Sequence, residues 1–325
     1  MKRREFISVV GLGGCLSASN ASGPRRPKIG CVSWNFHRLV PGAKPEEAID
    51  IIGSLGFDGV ELIANSRSDV QEYWTDDTIG RIKKQLERNR LVLPQFPLFQ
   101  PVVEGLTSRD PEERKRSLDF FEAGCRIGKK LGAPMVNIVA PWARELKAST
   151  EYLPRYFMSD PKPGEKFHID IARDFDGDEL WRVFTDTMKA CLERAKAHGM
   201  KFSVENHTHT MLPVTDSFLR LWDAIRDPAL GCNLDCGWAM NQREYPPLAI
   251  RKLNKHLVNL HMRDIDGRMR EMVPVPDGVM DVKAIAEAVK AVGFDGFISL
   301  EQDSFRGDMK EACRRYVRIM KESLA

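Results

Sequence analysis

The sequence has no long hydrophobic run, little net charge and no cysteine pattern typical of a metal site. Its N-terminal apolar run, residues 6–16, is shorter than the roughly 20 residues that a membrane-spanning helix needs, so we expect no transmembrane segment. The 49 basic and 46 acidic residues leave a net charge of +3, which argues against nucleic acid or an anionic membrane as the main partner. With 42% hydrophobic and 29% charged residues among 325, the chain has the composition of a folded globular protein.

The cysteines are too widely spaced to predict a zinc site. Cys232 and Cys236 are separated by three residues, and no second pair of cysteines accompanies them. Most of the others stand in apolar strand or helix patterns, where a free thiol packs as a small hydrophobe. We therefore expect buried, structural thiols at Cys31, Cys125, Cys191, Cys232, Cys236 and Cys313.

Residues 1–27 differ in composition from the remainder of the chain and are typical of an export signal. The pair Arg3-Arg4 precedes the apolar run of residues 6–16 and a small, polar stretch, which resembles a twin-arginine signal. The residues that end in Cys15 also resemble a lipoprotein cleavage box, with that cysteine as the lipidated residue. We expect a signal peptide and linker over 1–27 and an exported protein, either periplasmic or anchored as a lipoprotein. A cytosolic protein with a basic N-terminus is the alternative.

From residue 28 onward, short apolar runs alternate with longer amphipathic ones. The short runs are rich in Val, Ile, Leu and Phe at consecutive positions, which is typical of parallel strands buried on both faces. Strands are predicted at 28–34, 59–63, 91–97, 134–140, 201–206, 230–235, 257–262 and 296–301. Helices are predicted at 45–55, 76–90, 112–131, 179–198, 215–226, 247–256, 282–292 and 308–324.

Eight such strand–helix units favour a closed barrel over an open sheet. Residues 56–59 and 293–296 both read Gly-Phe-Asp-Gly, and the recurrence of one unit indicates a repeating architecture. The predicted fold is α/β, a single-domain (β/α)8 TIM barrel over residues 28–325. The longest irregular stretch, residues 141–178, is rich in Pro, Asp and aromatic residues, and we expect it to cover the active site.

Four consecutive predicted strands end with a side chain that can bind a metal. Glu205, Asp235, His261 and Glu301 each close an apolar run, at separations of 30, 26 and 40 residues. Strand ends of a barrel build the active site, and neighbouring strands lie about 5 Å apart, so we expect these groups to converge. A charged strand end is often only solvated, but an unpaired carboxylate that closes a buried strand is costly. Three carboxylates and one imidazole suit one divalent ion: Mn²⁺, Mg²⁺, Co²⁺ or Zn²⁺.

The motifs around these residues resemble those of the sugar phosphate isomerase/epimerase family. These are xylose isomerase-like barrels that include ketose 3-epimerases, hydroxypyruvate isomerase and inosose dehydratase. The motifs are Gly59-Val60-Glu61-Leu62, Glu205-Asn206-His207, Leu234-Asp235-x-Gly237, His261-Met262-Arg263-Asp264, Pro276-Asp277-Gly278 and Ser299-Leu300-Glu301. The resemblance extends from about residue 28 to the end of the chain.

This resemblance implies a metal-dependent sugar isomerase or epimerase. Glu205, Asp235, His261 and Glu301 would be the metal ligands, and Glu205 and Glu301 would also be the catalytic acid/base pair. A metal bound to adjacent carbonyl and hydroxyl oxygens acidifies the carbon between them. One glutamate would remove that proton, and the other would return a proton to the opposite face.

One departure from the family concerns the residue three positions after the metal aspartate. Ketose 3-epimerases of the family usually have histidine there, whereas this chain has Trp238. We therefore expect a substrate with an apolar face, such as a glycoside. Because an exported enzyme seldom meets sugar phosphates, we expect a free or oxidised (keto) sugar or glycoside. The candidate substrate-binding residues are Trp34, Glu61, Trp142, His207, Trp238, Arg263 and Arg268.

Three other functions compete with this prediction. A metal-dependent lyase or dehydratase would use the same proton abstraction and then expel a β-leaving group. A nuclease of the AP-endonuclease type would need more histidines, and none stands between His37 and His168. A carbohydrate-binding protein without activity would not need the pair Glu205 and Glu301. A homo-oligomer is compatible with each of these alternatives.

Overall fold

The computed structural model of the protein describes most of the chain after residue 25. The described residues are 26–142, 146–148, 164, 169–208, 210–267, 272–302 and 307–325. The predicted export signal, apart from Arg26 and Pro27, lies outside the described residues, and so do Cys15 and Arg268. Much of the expected loop over residues 141–178 lies outside them as well.

Eight parallel strands form the barrel, as the alternation of apolar and amphipathic segments predicts. They are β1 (Lys28–Val32), β2 (Gly59–Glu61), β3 (Phe96–Leu98), β4 (Met135–Val139), β5 (Lys201–Glu205), β6 (Leu230–Asp235), β7 (Leu257–Met262) and β8 (Phe297–Leu300). The strands follow one another around the sheet in the order β2-β1-β8-β7-β6-β5-β4-β3. Backbone bridges from Gly59 to Val92 and from Ala64 to Leu98 bring β2 and β3 together and nearly close the barrel.

An outer ring of eight helices covers the strands. They are α1 (Glu46–Ser54), α2 (Asp76–Arg88), α3 (Pro111–Leu131), α4 (Gly177–Ala197), α5 (Thr215–Ile225), α6 (Pro246–Leu253), α7 (Val282–Ala291) and α8 (Met309–Leu324). Side-chain caps begin several of them; Asp308, for example, accepts a hydrogen bond from the backbone N–H of Glu311. Gly132 ends α3 at a φ of 93°, the left-handed conformation that glycine adopts at low cost.

The third strand differs from its prediction over residues 91–97. The strand is Phe96–Leu98, and Val92 makes only an isolated bridge. Pro94, which has no N–H to donate to a ladder, separates Val92 from the strand, although Pro97, which also lacks an N–H, lies within the strand. A short helix, Cys236–Asn241, follows β6 directly and was not expected from the sequence.

The main apolar core lies between the strands and the helices, and a small separate cluster contains Val32, Trp34 and Ile63. Outward-facing strand residues such as Val60, Ile138 and Leu260 pack in the main core against apolar helix faces. The six cysteines expected to be buried are buried and free. Among the described helices, none combines the length and the apolar character that a bilayer span requires.

Candidate metal centre

The four predicted ligands meet at the carboxyl ends of four neighbouring strands. Asp235 pairs with His261 in the ladder between β6 and β7, and Glu205 and Glu301 lie on the flanking strands. One ligand atom from each of the four residues lies within 4.8 Å of the others. All four are at most 6% exposed, so three carboxylates share a buried space. Such a group of acceptors is costly unless a cation is placed among them.

The contacts of His261 fit a metal ligand. Its Nε2 lies 3.0 Å from Oε2 of Glu61, and its Nδ1 lies 2.7 Å from Oε2 of Glu301 and 3.4 Å from Oε2 of Glu205. That oxygen of Glu301 is buried and has no hydrogen-bond partner among the described residues. When Nδ1 carries no proton, acceptor atoms face one another around a common point. This donor set fits a divalent cation held by Glu205, Asp235, His261 and Glu301.

Asp235 and Glu301 are also held by neighbours outside the ligand group. Oδ1 of Asp235 accepts the backbone N–H of Trp238 at 2.8 Å, and Oδ2 lies 3.1 Å from Nε of Arg263. The same guanidinium pairs with Glu301. Oε1 of Glu301 also accepts the indole N–H of Trp34 at 2.9 Å. These contacts leave the remaining oxygen of Glu301 directed at the cluster.

The two glutamates of the cluster differ in the direction of their pKa shifts. Burial raises the pKa of Glu205 to about 7. Burial also acts to raise the pKa of Glu301, but Arg263 and His261 outweigh it and hold that pKa well below its ordinary value. For His261, burial acts to lower the pKa, but the facing carboxylates raise it well above the usual range. Without a cation, a proton on the imidazole therefore partly balances the carboxylates.

A second layer of polar side chains fills the barrel below the ligands. Each of the four ligand strands carries a serine or asparagine two residues before its ligand: Ser203, Asn233, Asn259 and Ser299. All are fully buried, and strand alternation directs them to the same side as the ligands. Barrel interiors are usually packed with bulky apolar residues, so this polar layer is a departure that points to function. This layer has a signal in the sequence, because each ligand is preceded by a serine or an asparagine two residues earlier.

Most of the predicted substrate-binding residues border the cluster. The ring of His207 lies between two tryptophans: Trp142 is edge-on to it, at 5.4 Å between centroids, and Trp238 is tilted against it, at 4.1 Å. The guanidinium of Arg263 lies 5.0 Å from the centre of the Trp238 ring. Burial lowers the pKa of His207 to about 4, so this imidazole is neutral near pH 7. We refer to Trp142, His207 and Trp238 as the aromatic wall.

Glu61 has a different position from the one expected of a substrate contact. It is fully buried and lies beneath His261, surrounded by hydrogen-bond donors from β7, β8 and Gln95. This places it below the ligands and not in the wall. The sequence suggested a role because Glu61 ends a strand, but it did not reveal which layer of the barrel the side chain occupies.

Several solved structures share the fold of this chain. D-psicose 3-epimerase from Clostridium cellulolyticum, crystallised with D-tagatose, gives a TM-score of 0.72 at 17% identity, over 91% of this chain and 99% of that one. The 3-keto-D-glucoside 4-epimerase of E. coli gives 0.69 at 15% identity, over 91% and 100%. A probable 3-DHS dehydratase from Bacillus anthracis gives 0.67 at 16% identity, over 90% and 98%. At these identities the likeness establishes the fold alone.

The sequence itself matches one relative and one family. An uncharacterized protein of Methanocaldococcus jannaschii is 28% identical over 163 residues, which are 45% of this chain and 55% of that protein. The chain thus spans about half the length of that relative. The family described as xylose isomerase-like TIM barrel matches residues 49–322, which extend from α1 into α8. The chain is therefore a member of the xylose isomerase-like TIM barrel family.

Proposed function

We propose that this protein is a divalent-metal-dependent isomerase or epimerase of a carbohydrate. Its reaction would remove and return a proton next to a carbonyl group. The proposed ligands are Glu205, Asp235, His261 and Glu301, with Glu205 and Glu301 as the acid/base pair.

The observation that carries this proposal is the placement of the two glutamates. Glu205 belongs to β5 and Glu301 follows β8, so they flank Asp235 and His261 from opposite sides. A carbon atom positioned above the central pair would face one glutamate on each side. Removal of a proton on one face and its return on the other inverts that carbon.

The side chains of the cluster have distinct tasks in this proposal. A bound divalent ion would polarise the substrate carbonyl and acidify the adjacent C–H bond. A carboxylate oxygen of one glutamate accepts the proton, and the carboxyl group of the other delivers one. Arg263 and Trp34 fix the orientation of Glu301 through its Oε1 atom. Burial of the cluster strengthens these electrostatic interactions, because little water screens them.

The aromatic wall supports a substrate with an apolar face. Trp238 is only half buried and presents a ring beside the cluster, where the C–H face of a pyranose could stack. Neutral His207 would contribute a hydrogen-bonding group next to that face. This chemistry suits a keto-sugar or a keto-glycoside, and a barrel of the same fold is a 3-keto-D-glucoside 4-epimerase.

Solvent isotope exchange tests this proposal directly. The protein, loaded with Mn²⁺ or Co²⁺, would be incubated in D₂O with keto-sugars and 3-keto-glycosides. We expect deuterium at the carbon next to the carbonyl, and its loss in Glu205→Gln and Glu301→Gln variants. Failure of the loaded wild type to exchange any member of this panel would contradict the proposal.

Elimination is the second reaction that this arrangement can support. It begins with the same proton abstraction, and a barrel with this fold is a probable dehydratase. A product that has lost a β-substituent, detected by mass spectrometry, would identify a lyase. A product of unchanged mass and inverted configuration would identify an epimerase.

We also propose that the protein is exported. This proposal rests on Arg3-Arg4 and the apolar run of residues 6–16, with Cys15 as the residue for a lipid anchor. Cell fractionation of the full chain and of an Arg3→Lys, Arg4→Lys double variant tests it. Export of the wild type and retention of the variant are expected, whereas a wild type that stays in the cytosol would contradict the proposal.

A further inference from the structure

Glu61 lies at the centre of a fully buried group of hydrogen-bond donors. Its Oε1 accepts from Oγ of Ser299 at 2.6 Å and from Nδ2 of Asn259 at 3.0 Å. Its Oε2 accepts from Nε2 of Gln95 at 2.8 Å and lies 3.0 Å from Nε2 of His261. Four donors from different parts of the barrel therefore fix one carboxylate below the candidate metal centre. Such complete satisfaction is what a buried carboxylate requires.

The contact between Glu61 and His261 determines which imidazole nitrogen faces the cluster. An ionised carboxylate can only accept a hydrogen bond, so the hydrogen must be on Nε2 of His261. A neutral imidazole with its hydrogen on Nε2 has its lone pair on Nδ1. Nδ1 is the nitrogen that lies 2.7 Å from Glu301 and 3.4 Å from Glu205. Glu61 thus directs the lone pair toward the other ligands.

A chain of two amides connects Glu61 to a second ligand. Nδ2 of Asn259 donates to Glu61 and also lies 3.1 Å from Oδ1 of Asn233. Nδ2 of Asn233 in turn donates to Oε2 of Glu205 at 2.7 Å. A carboxylate stands at each end and can only accept, so the NH₂ group of Asn259 donates both to Glu61 and to Asn233, and the NH₂ group of Asn233 donates to Glu205. The position of Glu205 is therefore coupled to that of Glu61.

We propose that Glu61 is a positioning residue for the metal ligands. Glu61 makes Nδ1 of His261 the ligating nitrogen, and it holds Glu205 in place through Asn259 and Asn233. This inference rests on the metal site of the proposed function. A carboxylate that accepts the second N–H of a ligating histidine fixes the ring and increases its basicity. Loss of such a partner lowers metal affinity by about 10- to 100-fold.

The first test uses the wild-type protein and does not depend on a variant. Zn²⁺ is added to protein labelled with ¹⁵N-histidine, and long-range ¹H–¹⁵N correlations identify which nitrogen of His261 carries a hydrogen. We expect a hydrogen on Nε2 and a metal-shifted Nδ1. Zinc on Nε2, with a hydrogen on Nδ1, would overturn the inference.

The second test measures Co²⁺ binding by calorimetry in Glu61→Gln and in a matched control, Asp264→Asn. Asp264 is also fully buried, but it accepts backbone N–H groups of Ile265, Gly278 and Met280. We expect Glu61→Gln to weaken Co²⁺ binding by about 10- to 100-fold and to alter the Co²⁺ absorption spectrum. Asp264→Asn is expected to bind Co²⁺ like the wild type.

Unchanged affinity and spectrum in Glu61→Gln would overturn the positioning role, and so would an equal loss in Asp264→Asn. A wild type that binds neither Co²⁺ nor Zn²⁺ would instead contradict the proposed function on which the inference depends. Wild-type binding with an unaffected Glu61→Gln variant contradicts the inference alone. If Glu61→Gln does not fold, the histidine nitrogen measurement still decides between the two arrangements.

Discussion

The two halves of the barrel contribute to the candidate metal centre in different ways. In the second half, four neighbouring strands, β5 to β8, each end in one of the four grouped ligands. The first half reaches the same centre from β1, which pairs with β8, and from β2 beside it. Trp34, just after β1, donates to Glu301, and Glu61, at the end of β2, pairs with His261. The second half supplies the ligands, and the first half supplies groups that orient them.

The two shortest strands of the barrel lie in the first half. Strands β2 and β3 have three residues each, and isolated bridges join the residues around them. Strands β5 to β8 have four to six residues and pair with one another, with one register shift between β6 and β7 at Cys232 and Asn233. Ligands need a rigid frame to keep their geometry, and none of them lies on the two shortest strands.

The largest effect is expected from removal of a ligand in the second half. His261→Ala should weaken Co²⁺ binding by more than about a hundredfold. The loss of a ligand costs more affinity than the loss of a residue that is hydrogen-bonded to the ligand. His198→Ala is the matched control, since His198 follows α4 on the outer surface, 3.6 Å from Glu122. Calorimetry measures both. Equal affinities in the two variants would contradict the assignment of His261 as a ligand.

The pH dependence of metal binding should be the next largest effect. Burial raises the pKa of Glu205 to about 7. Although burial acts to lower it, the pKa of His261 is raised well above its usual range by the facing carboxylates. Both groups therefore bind protons near pH 6 in the metal-free protein, and a metal must displace them. Affinity should rise with pH, by about tenfold per pH unit for each proton released.

Calorimetric titrations in two buffers with different ionisation enthalpies count the released protons directly. An affinity that is constant between about pH 5.5 and 7.5, with no proton release, would contradict this description of the cluster.

A smaller effect is expected from the first half of the barrel. Trp34→Phe removes the indole N–H that Glu301 accepts at 2.9 Å but retains an aromatic ring. The loss of a hydrogen bond to a charged group should lower the isotope-exchange rate by about tenfold. Co²⁺ binding should change little. Trp222→Phe on α5 is the control, and a rate loss of the same size in that variant would show that the effect is not specific to Glu301.

The smallest effect concerns the irregular segment before β3. Val92 is 48% exposed, so Val92→Ala should change the free energy of unfolding by less than about 0.5 kcal/mol. Val136→Ala in β4, at a fully buried position, should cost about 1 to 3 kcal/mol. Urea unfolding compares the two variants. Equal costs would mean that the side chain of Val92 is packed as tightly as that of Val136.

The fold and the four grouped residues were predictable because they depend on local patterns. Parallel strands buried on both faces must be apolar at consecutive positions, and a charged residue that closes such a run is conspicuous. Glu205, Asp235, His261 and Glu301 all have this signature. Strand β3 was misplaced because its pattern continues across Pro94, which separates Val92 from the strand.

Contacts across the barrel could not be predicted in the same way. Glu61 and His261 are separated by 200 residues, and no local pattern indicates that β2 brings a carboxylate below β7. The aromatic wall likewise combines residues from loops after three different strands. The ring contacts of these residues depend on loop conformations, which residue periodicity does not specify.

Elemental analysis of the purified protein tests most directly whether one divalent ion is bound. The expected ligands are Glu205, Asp235, His261 and Glu301. We expect about one ion of Mn, Co, Zn or Mg per chain, with less in Glu205→Gln and His261→Ala. Added Mn²⁺, Co²⁺ or Zn²⁺ should also raise the unfolding temperature of metal-depleted wild type. A wild type that contains no divalent ion, and that none of these ions stabilises, would contradict the account.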